Sequence, residues 1–394
     1  METEKSMKVN EVTMVGALPP LKGNAYYCLS LSREMSQSIR TDFISFKNLY
    51  PNFLYPGGVK DPDPDFHVSE TAALRVRRVI NYYNPLSWMH AGFLAQTDVV
   101  HLQWWSVPLA PVYLLLLIIL KIRRKKIVLT VHNVVSHEKS VLDYLLNKSI
   151  LHFGDAWIVH SVNNQETLAK YCSLPSRKIH VIPMPVHDMY QKNGVGRDQT
   201  RKKLKIPDCA KVILSFGNIR PYKGIDKLIE ALPRIMRTVP DIHLLIAGQV
   251  WGSWEEPYGQ LVDRLGLKNH VTVLPDYLPM SQVADVFQAS DLVALPYLYF
   301  DAQSGVGNTA LAFNLPLVVT RVGGLPDLVD DERAICEPGC DEALADVIAR
   351  IFLDRRLYTK LRNDSHALSQ KYSWRSACEL TREVYQTVIS DDRF

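Results

Sequence analysis

Short apolar runs alternate along the whole chain with longer stretches in which apolar residues recur at helical spacing. The runs in the first half are 12–15, 41–46, 99–102, 127–131, 156–159 and 179–182, and those in the second half are 212–216, 242–247, 271–274, 292–295 and 317–319. Runs of this length are typical of buried strands, and the stretches between them are typical of crossover helices. The pattern predicts an α/β fold with two doubly wound parallel sheets.

The predicted strands fall into two groups separated by residues 183–207, which are rich in proline, glycine and charge. A chain of 394 residues is long for a single core, so two domains are expected. We expect a first domain over 1–185, a linker over 186–207, a second domain over 208–370 and a final helix over 371–394. Because open α/β sheets bind ligands beyond the carboxyl ends of their strands, functional residues are expected in the loops that follow strands.

Composition excludes some classes of protein. The chain is 47% hydrophobic and 22% charged, with a formal net charge of +4, which is too small and dispersed to indicate nucleic-acid binding. Its six cysteines show no CxxC spacing, which suits a reducing cytoplasm. Residues 1–10 are charged and have no apolar stretch, so no signal peptide is expected.

One segment departs from this composition, because the apolar residues 107–120 run directly into the basic residues 121–126. The apolar run is too short to span a membrane. Two interpretations remain. The segment is either a helix that contacts an anionic membrane surface or a core helix followed by a solvated basic turn. The predicted location is the cytoplasm, with peripheral contact at the cytoplasmic face of the inner membrane through 107–126.

The loop after the run 212–216 has the residues of an anion site. Gly217 allows close backbone approach, Arg220 and Lys223 add cationic donors, and a helix with apolar residues at helical spacing follows from residue 225. Amides at a helix N-terminus favour anions. The loop therefore predicts a diphosphate grip. The alternative is a basic surface turn.

A second helix entrance of this kind follows the run 292–295. Ser304, Gly305 and Val306 would present backbone amides to a phosphate, and Asp301 and Thr309 would reach sugar hydroxyls. The alternative is that Asp301 and Ser304 are simple helix caps.

Two further strand ends carry candidate residues. His132 directly follows the run 127–131, where an imidazole can donate to a sugar or phosphate oxygen. The loop 16–24 after the first strand contains Gly23, but its glycine spacing does not match the dinucleotide fingerprint GxGxxG.

No metal site is expected from the two acidic motifs. His137 and Glu138 lack HExxH spacing and a third ligand. The DxD-like residues 61–65 are interrupted by prolines, which favours a solvated acidic loop.

Taken together, these motifs resemble the retaining GT-B glycosyltransferases of family 4. The resemblance covers the loop 16–24, the strand ending in His132, the GxxxPxKG pattern of 217–224 and the segment 301–324. It implies two Rossmann-like domains facing a central cleft, an acceptor-binding first domain and a donor-binding second domain. It also implies that the final helix crosses back to the first domain.

The resemblance implies roles for individual residues. Lys223 would neutralise the donor diphosphate, assisted by the amides of Gly305 and Val306, and Gly23 would approach the same group. The catalytic residues would be Asp301, which holds hydroxyls of the donor sugar, and His132, which contacts the reacting sugar. Other donor-binding residues would be Arg220, Ser304 and Thr309.

The chain departs from the family pattern at two places. The family has arginine directly after the first loop glycine, whereas this chain has Asn218 there and an arginine two positions later, at Arg220. The family's two glutamates, with seven residues between them, fall on Asp301 and Thr309. Without the second carboxylate, ribose binding must use a neutral hydroxyl or another group.

The leading hypothesis is a metal-independent retaining hexosyltransferase that needs no cofactor. It would move a hexose from a nucleotide sugar to a glycan or polyprenyl-linked acceptor in polysaccharide or glycoconjugate biosynthesis. The alternatives are a GT-B epimerase or phosphorylase, and a non-catalytic GT-B protein that binds nucleotide sugars.

Overall fold

The computed structural model describes residues 9–49, 60, 67–134, 141–192, 194–300 and 304–390. The chain divides into two compact units, of which unit 1 comprises Met1–Pro183 with Trp374–Phe394 and unit 2 comprises Met184–Ser373. Each unit is built around one parallel sheet, which confirms the predicted pair of doubly wound domains.

Seven parallel strands form the sheet of unit 1, in the order β3-β2-β1-β4-β5-β6-β7. Their bounds are β1 Glu11–Gly16, β2 Arg40–Asn48, β3 Leu74–Asn81, β4 Val99–Trp104, β5 Lys126–Val131, β6 Ala156–Val159 and β7 Ile179–Val181. The edge strand β3 was missed by the sequence analysis. Its arginines at 75, 77 and 78 interrupt the apolar pattern, which an edge strand tolerates because one side of its backbone is not covered by a neighbouring strand.

The helices of unit 1 form layers over this sheet. They are α1 Ala25–Met35, α2 Pro85–Leu94, α3 Ala110–Ile122, α4 Val141–Leu151, α5 Val162–Cys172 and the last helix of the chain, α13 Trp374–Ser390. Helices α2, α3, α4 and α5 pack side by side, and α1 packs against α13. In α13, Trp374 contacts the rings of Tyr26 and Tyr27, and the Tyr385 hydroxyl lies 2.6 Å from Nδ1 of His101.

Most of α3 is buried in the core of unit 1, as the core-helix interpretation of residues 107–120 expects. Leu116, Leu117 and Leu120 are fully buried, whereas Ile118 and Ile122 are exposed near the C-terminal end of the helix. None of the helices in the described part of the chain is both long enough and apolar enough to cross a membrane.

Six parallel strands form the sheet of unit 2, in the order β10-β9-β8-β11-β12-β13. They are β8 Lys211–Phe216, β9 Ile242–Ala247, β10 Val271–Leu274, β11 Leu292–Leu295, β12 Leu317–Thr320 and β13 Ile335–Cys336. The helices are α6 Arg197–Lys203, α7 Ile225–Met236, α8 Gln260–Arg264, α9 Met280–Gln288, α10 Gly305–Ala312, α11 Asp341–Leu353 and α12 Arg355–Lys371. Strand order reverses between β8 and β11, and the ends of these strands are the expected ligand position.

The structure differs from the sequence analysis at the expected linker 186–207, which lies within unit 2. Helix α6 supplies the reason, because Arg201 is 1% exposed and its guanidinium pairs with Asp291 at 2.9 Å. The same guanidinium donates to the carbonyl oxygens of Asp208, Ala210 and Ala289. The charged residues of this segment suggested a solvated linker. One of them, Arg201, is instead buried in unit 2, where an ion pair and three carbonyl oxygens compensate its charge.

We predict that Arg201→Met destabilises the protein by about 3 kcal/mol, because it leaves the Asp291 carboxylate with only the more exposed Arg197 as cationic partner and leaves three carbonyl groups without their donor. Arg234→Met is the matched control, since Arg234 pairs with Asp346 at 2.8 Å on the surface and such pairs contribute less than about 1 kcal/mol. Chemical denaturation measures both. Equal losses would contradict the structural role of Arg201.

Candidate functional site

The loop between β8 and α7 is shaped by two glycines with left-handed backbones. Gly217 has φ +91°, and a Cβ there would lie 2.9 Å from Nζ of Lys223 and 3.2 Å from Cγ2 of Val306. Gly224 has φ +63°, and a Cβ there would collide with the carbonyl oxygen of Pro296. Side chains other than glycine are strained at such φ values. The loop therefore packs directly against the first turn of α10 and the end of β11.

Lys223 is the buried cation of this loop. It is 6% exposed, and its ammonium donates to the carbonyl oxygen of Phe216 at 3.2 Å and lies 5.4 Å from the centre of the Tyr297 ring. It forms no salt bridge with any carboxylate among the described residues. Burial lowers the pKa of Lys223 to about 8, because an ammonium loses hydration there that the protein does not replace.

Arg220 brings a second cation to the same loop. Its guanidinium stacks 3.5 Å from the centre of the Trp251 ring, and its Nε is buried without a hydrogen-bond partner in the described part of the chain. The charge of Arg220 contributes to the lowered pKa of Lys223. Lys223 and Arg220 are therefore neighbouring cations with no described carboxylate between them. A bound anion would stabilise both charges.

The first turn of α10 completes this arrangement. The Ser304 hydroxyl accepts from the amide of Gly307 at 3.2 Å and is buried, so Ser304 acts as the N-cap that the sequence analysis gave as its alternative role. The amides of Gly305 and Val306 precede the first intrahelical bonds of α10 and have no acceptor within the helix. They are suited to an anion. Asp301 lies outside the described residues.

Thr309 is directed into the protein. It is buried, and its hydroxyl donates to the carbonyl oxygen of Gly305 at 2.8 Å and lies 3.4 Å from Nδ1 of His187. Its hydrogen is thus used within α10. The structure differs here from the expectation that this hydroxyl reaches the ribose of a donor. His187 also lies against Gly305, 3.1 Å from the position of a Cβ there.

In unit 1, the candidate residues gather at the ends of β1 and β4. Gly23 has φ +83°, and a Cβ there would lie 3.2 Å from Nε1 of Trp105. Asn24 is buried at the start of α1, and neither its amide group nor the Trp105 indole nitrogen has a hydrogen-bond partner among the described residues. Unpaired buried polar groups are costly. These groups therefore indicate a place where a ligand would supply hydrogen bonds.

His132 is held by a chain of hydrogen bonds behind this loop. Its Nε2 lies 3.0 Å from Oε1 of Gln103, and its Nδ1 lies 3.3 Å from Nε2 of His160. The chain continues from Gln103 to His101 and Tyr385 and ends at the carbonyl oxygen of Ile182, 2.9 Å from Nδ1 of His160. Both ring nitrogens of His132 are therefore engaged.

Burial keeps these histidines neutral. It lowers the pKa of His101 to about 3 and that of His160 to about 4, and it lowers the pKa of His132 well below its usual value, with an added effect from the two neighbouring rings. A neutral imidazole has one donor and one acceptor nitrogen. His132 is consequently suited to hydrogen bonding in a fixed orientation and not to proton transfer near pH 7.

The arrangement of protons in this chain follows from its last acceptor. A carbonyl oxygen only accepts, so His160 carries its proton on Nδ1 and its Nε2 accepts from Nδ1 of His132. Nε2 of His132 must then also accept. This requires Gln103 to present its amide nitrogen to His132, and the nitrogen and oxygen ends of an amide occupy nearly the same space.

Sequence reasoning missed several residues of the site: Asn24, Gln103, Trp105, His160, His187 and Trp251. One of them carried a usable signal, because His160 directly follows β6 just as His132 directly follows β5. Trp251 lies in the loop after β9, but nothing in the sequence pairs it with Arg220. Among the described residues, no group of three or more His, Cys, Asp or Glu side chains is placed to hold a metal ion.

Two family profiles match consecutive parts of the chain. One described as Glycosyltransferase Family 4 matches residues 23–188, and one described as Glycosyl transferases group 1 matches residues 196–367. Similar curated proteins are D-inositol 3-phosphate glycosyltransferases. The enzyme of Segniliparus rotundus is 34% identical over 42% of this chain and 36% of its own length. The enzyme of Mycolicibacterium smegmatis is 32% identical over 61% of this chain and 54% of its own length. The chain thus spans less than two thirds of the length of these relatives.

Solved structures share the fold over nearly the whole chain. Sucrose-phosphate synthase from Thermosynechococcus elongatus superposes with a TM-score of 0.71 at 18% identity, covering 97% of this chain and 100% of that one. Anabaena HepE, solved in complex with UDP-glucose, gives 0.69 at 18% identity, covering 96% and 99%. Similarity at this level shows the fold.

We predict that Gln103→Met separates the roles of the buried chain in unit 1. Loss of the Gln103 amide leaves Nε2 of His132 short of a buried hydrogen bond, whereas Nε2 of His101 keeps the Thr130 hydroxyl at 2.7 Å. The change should cost about 1–3 kcal/mol of unfolding free energy and release the His132 ring. Tyr385→Phe is the control, because it removes only the distant bond to His101. Denaturation and ligand-binding assays should show both variants destabilised but only Gln103→Met impaired in binding. Equal impairment would contradict a positioning role for Gln103.

Proposed function

We propose, because this chain belongs to the glycosyltransferases of family 4, that it transfers a hexose from a nucleotide-sugar donor with retention of configuration and without a metal. Unit 2 would bind the donor and unit 1 the acceptor. The acceptor would be a glycan or a polyprenyl-linked intermediate in polysaccharide or glycoconjugate biosynthesis. Family membership and the chemistry of the β8 loop support this proposal.

One observation carries most of the proposal: the buried ammonium of Lys223 beside the guanidinium of Arg220. Neither forms a salt bridge with a described carboxylate, and the amides of Gly305 and Val306 begin α10 next to them. A diphosphate would supply the missing negative charge and accept hydrogen bonds from all four groups.

These groups would act chiefly on the leaving group. As the bond between sugar and diphosphate breaks, negative charge develops on the departing phosphate oxygens, and the fixed cation of Lys223 stabilises it more than it stabilises the bound donor. The acceptor hydroxyl would attack from the face that the nucleotide leaves, and the leaving phosphate would take its proton. His132, neutral and with both ring nitrogens bonded to Gln103 and His160, would position the reacting sugar by contact with its ring.

The donor and acceptor are proposed from relatives and tested together. The HepE complex holds UDP-glucose, so UDP-hexoses come first among donors. The curated relatives are named for D-inositol 3-phosphate, which therefore joins polyprenyl-linked glycans among acceptors. We also propose a cytoplasmic location with peripheral contact at the membrane through 107–126, where Ile118, Ile122 and Arg124 are exposed.

The direct test is a thermal-shift panel of nucleotide sugars followed by an assay of nucleotide release with and without acceptors. A ligand at about 100 times its dissociation constant adds about 2.7 kcal/mol of stability, so a matching donor is readily detected. Release of nucleotide only when an acceptor is present would support transfer. Donor binding with neither transfer nor slow hydrolysis would instead support a non-catalytic binding protein.

We predict that Lys223→Met abolishes binding of the donor diphosphate yet stabilises the free protein at pH 7. The pKa of Lys223 is about 8 in the fold and about 10.4 when unfolded, so burial of the charged form costs about 3 kcal/mol below pH 8. That cost disappears as pH rises from about 8 to about 10.4, since the unfolded chain binds the extra proton in this range.

Lys227→Met is the matched control, because Lys227 lies one turn further along and pairs with Glu230 at 2.6 Å. It should leave donor binding unchanged. Because the pair with Glu230 raises the pKa of Lys227, its removal should not reproduce the gain in stability at pH 7. Calorimetric donor titration and denaturation at pH 7 and pH 10 measure both effects. Donor affinity that survives in Lys223→Met would remove the diphosphate assignment.

We predict that Arg220 and Trp251 act as one unit in donor binding. The Trp251 ring holds the guanidinium by a cation–π contact, so Arg220→Ala and Trp251→Ala should each weaken donor binding about tenfold, and the double variant should be little worse than either. A double-mutant cycle on donor dissociation constants measures this coupling. Strictly additive losses, or an unchanged affinity in Arg220→Ala, would mean that the contact is only structural.

A further inference from the structure

Three neighbouring helices of unit 1 carry large apolar side chains on their solvent-facing sides. On α2 these are Leu86, Met89 and Phe93, which recur at helical spacing, and Leu86 is 72% exposed. One stripe of this kind on a surface helix is unusual, because a helix outside the core normally presents polar residues to water. The stripe on α2 is therefore a surface that something else is expected to cover.

The same feature continues on the two adjacent helices. On α3 the exposed apolar residues are Ile118 and Ile122, and on α4 they are Val141, Leu142 and Leu145. Both α2 and α4 pack against α3, so the three stripes lie in one helical layer. We name this surface the α2–α4 face. Elsewhere in the described part of the chain, exposed large apolar residues such as Leu353 are mostly single, which is normal.

Charge distinguishes between the possible occupants of this face. Residues 85–126 contain five Lys or Arg and one acidic residue, Asp98, and α4 adds Asp143 and Lys148. Lys121 pairs with Asp155 and Lys125 with Asp98, so Arg123 and Arg124 are the cations that matter most for this face.

Arg123 bridges α3 to the carbonyl oxygens of Gly92 and Ala95 at the end of α2, and its guanidinium lies 5.9 Å from the centre of the exposed Phe93 ring. Arg124 is exposed and forms no salt bridge among the described residues. Positive charge thus adjoins the apolar stripes directly.

An anionic membrane surface matches both features at once. Apolar side chains enter the boundary between headgroups and acyl chains while neighbouring Lys and Arg approach the lipid phosphates. A second copy of this chain would bring two positively charged faces together, which like-charge repulsion opposes. The short apolar helices cannot span a bilayer, so the contact would lie in its surface.

We propose that the α2–α4 face binds an anionic membrane surface. This proposal rests on the proposed function, because polyprenyl-linked acceptors are embedded in a membrane. It also replaces the segment 107–126 as the expected membrane contact. The apolar core of the segment 107–120 is buried, and the lipid would meet the exposed sides of α2, α4 and the end of α3. Its test measures vesicle binding and not transfer, so the two proposals can fail separately.

The test is co-sedimentation of the full chain with vesicles of phosphatidylcholine, with and without phosphatidylglycerol. We expect binding only to the anionic vesicles. Leu86→Glu and Leu142→Glu should each weaken it at least tenfold, since each removes an inserting side chain and adds a repelled charge. Both residues lie in first helical turns, where glutamate is tolerated. The matched control is Leu353→Glu, because Leu353 is exposed to a similar degree in unit 2 and should leave binding unchanged.

Arg124→Asn tests the electrostatic part of the proposal. Asparagine tolerates the left-handed backbone at this position, where φ is +56°, so the variant should fold and bind about fivefold more weakly. The salt dependence of binding should also decrease. Absence of binding to anionic vesicles, or equal binding by the Glu variants and the wild-type chain, would overturn the proposal. So would sedimentation of a dimer that Leu142→Glu dissociates.

Discussion

The buried ammonium of Lys223, without a described carboxylate to neutralise it, is the constraint on which the candidate donor site depends. A charge in this position costs stability, and the surrounding structure tolerates it only because Gly217 and Gly224 bring the loop against α10 and the Phe216 carbonyl accepts one bond. Arg220 raises the cost further by its own charge. The fold thus holds two positive charges that no described carboxylate neutralises, and a bound diphosphate would neutralise them. Functional sites often cost stability in the free protein in this way.

The candidate site of unit 1 has the opposite electrostatic character. Its histidines are neutral, buried and joined in one chain through Gln103, so the unit offers oriented hydrogen-bond donors and acceptors without net charge. Parallel strands explain how both sites arise from the same topology. In each sheet the strand order reverses beside the first strand, and the loops that follow the central strands gather at one edge. Residues far apart in sequence, such as His101, His132 and Tyr385, are brought together because their elements pack around that edge.

Much of the fold was predictable because buried strands have a local signature. The strands β6 and β11 have the bounds that the apolar runs indicated, whereas β3 was missed because its arginines break the pattern and β13 because it has two residues. The same limit applies to the site. Strand ends identified His132 and the Lys223 loop, but not the stacking of Trp251 on Arg220, which joins two loops. Thr309 was expected to face a ligand, and its hydroxyl instead bonds to Gly305 within its own helix.

The sequence by itself determined the α/β class, the two parallel sheets and the cationic loop, because apolar periodicity and glycine placement act over a few neighbouring residues. Only the tertiary structure decided which charges are buried, which histidine nitrogens are occupied and which apolar residues face water. The expected linker became part of unit 2 through Arg201, and the apolar segment before the basic turn became mostly core. The burial of a side chain and the pairing of its polar groups depend on contacts between elements that are far apart in the sequence. A local pattern of residues does not specify those contacts.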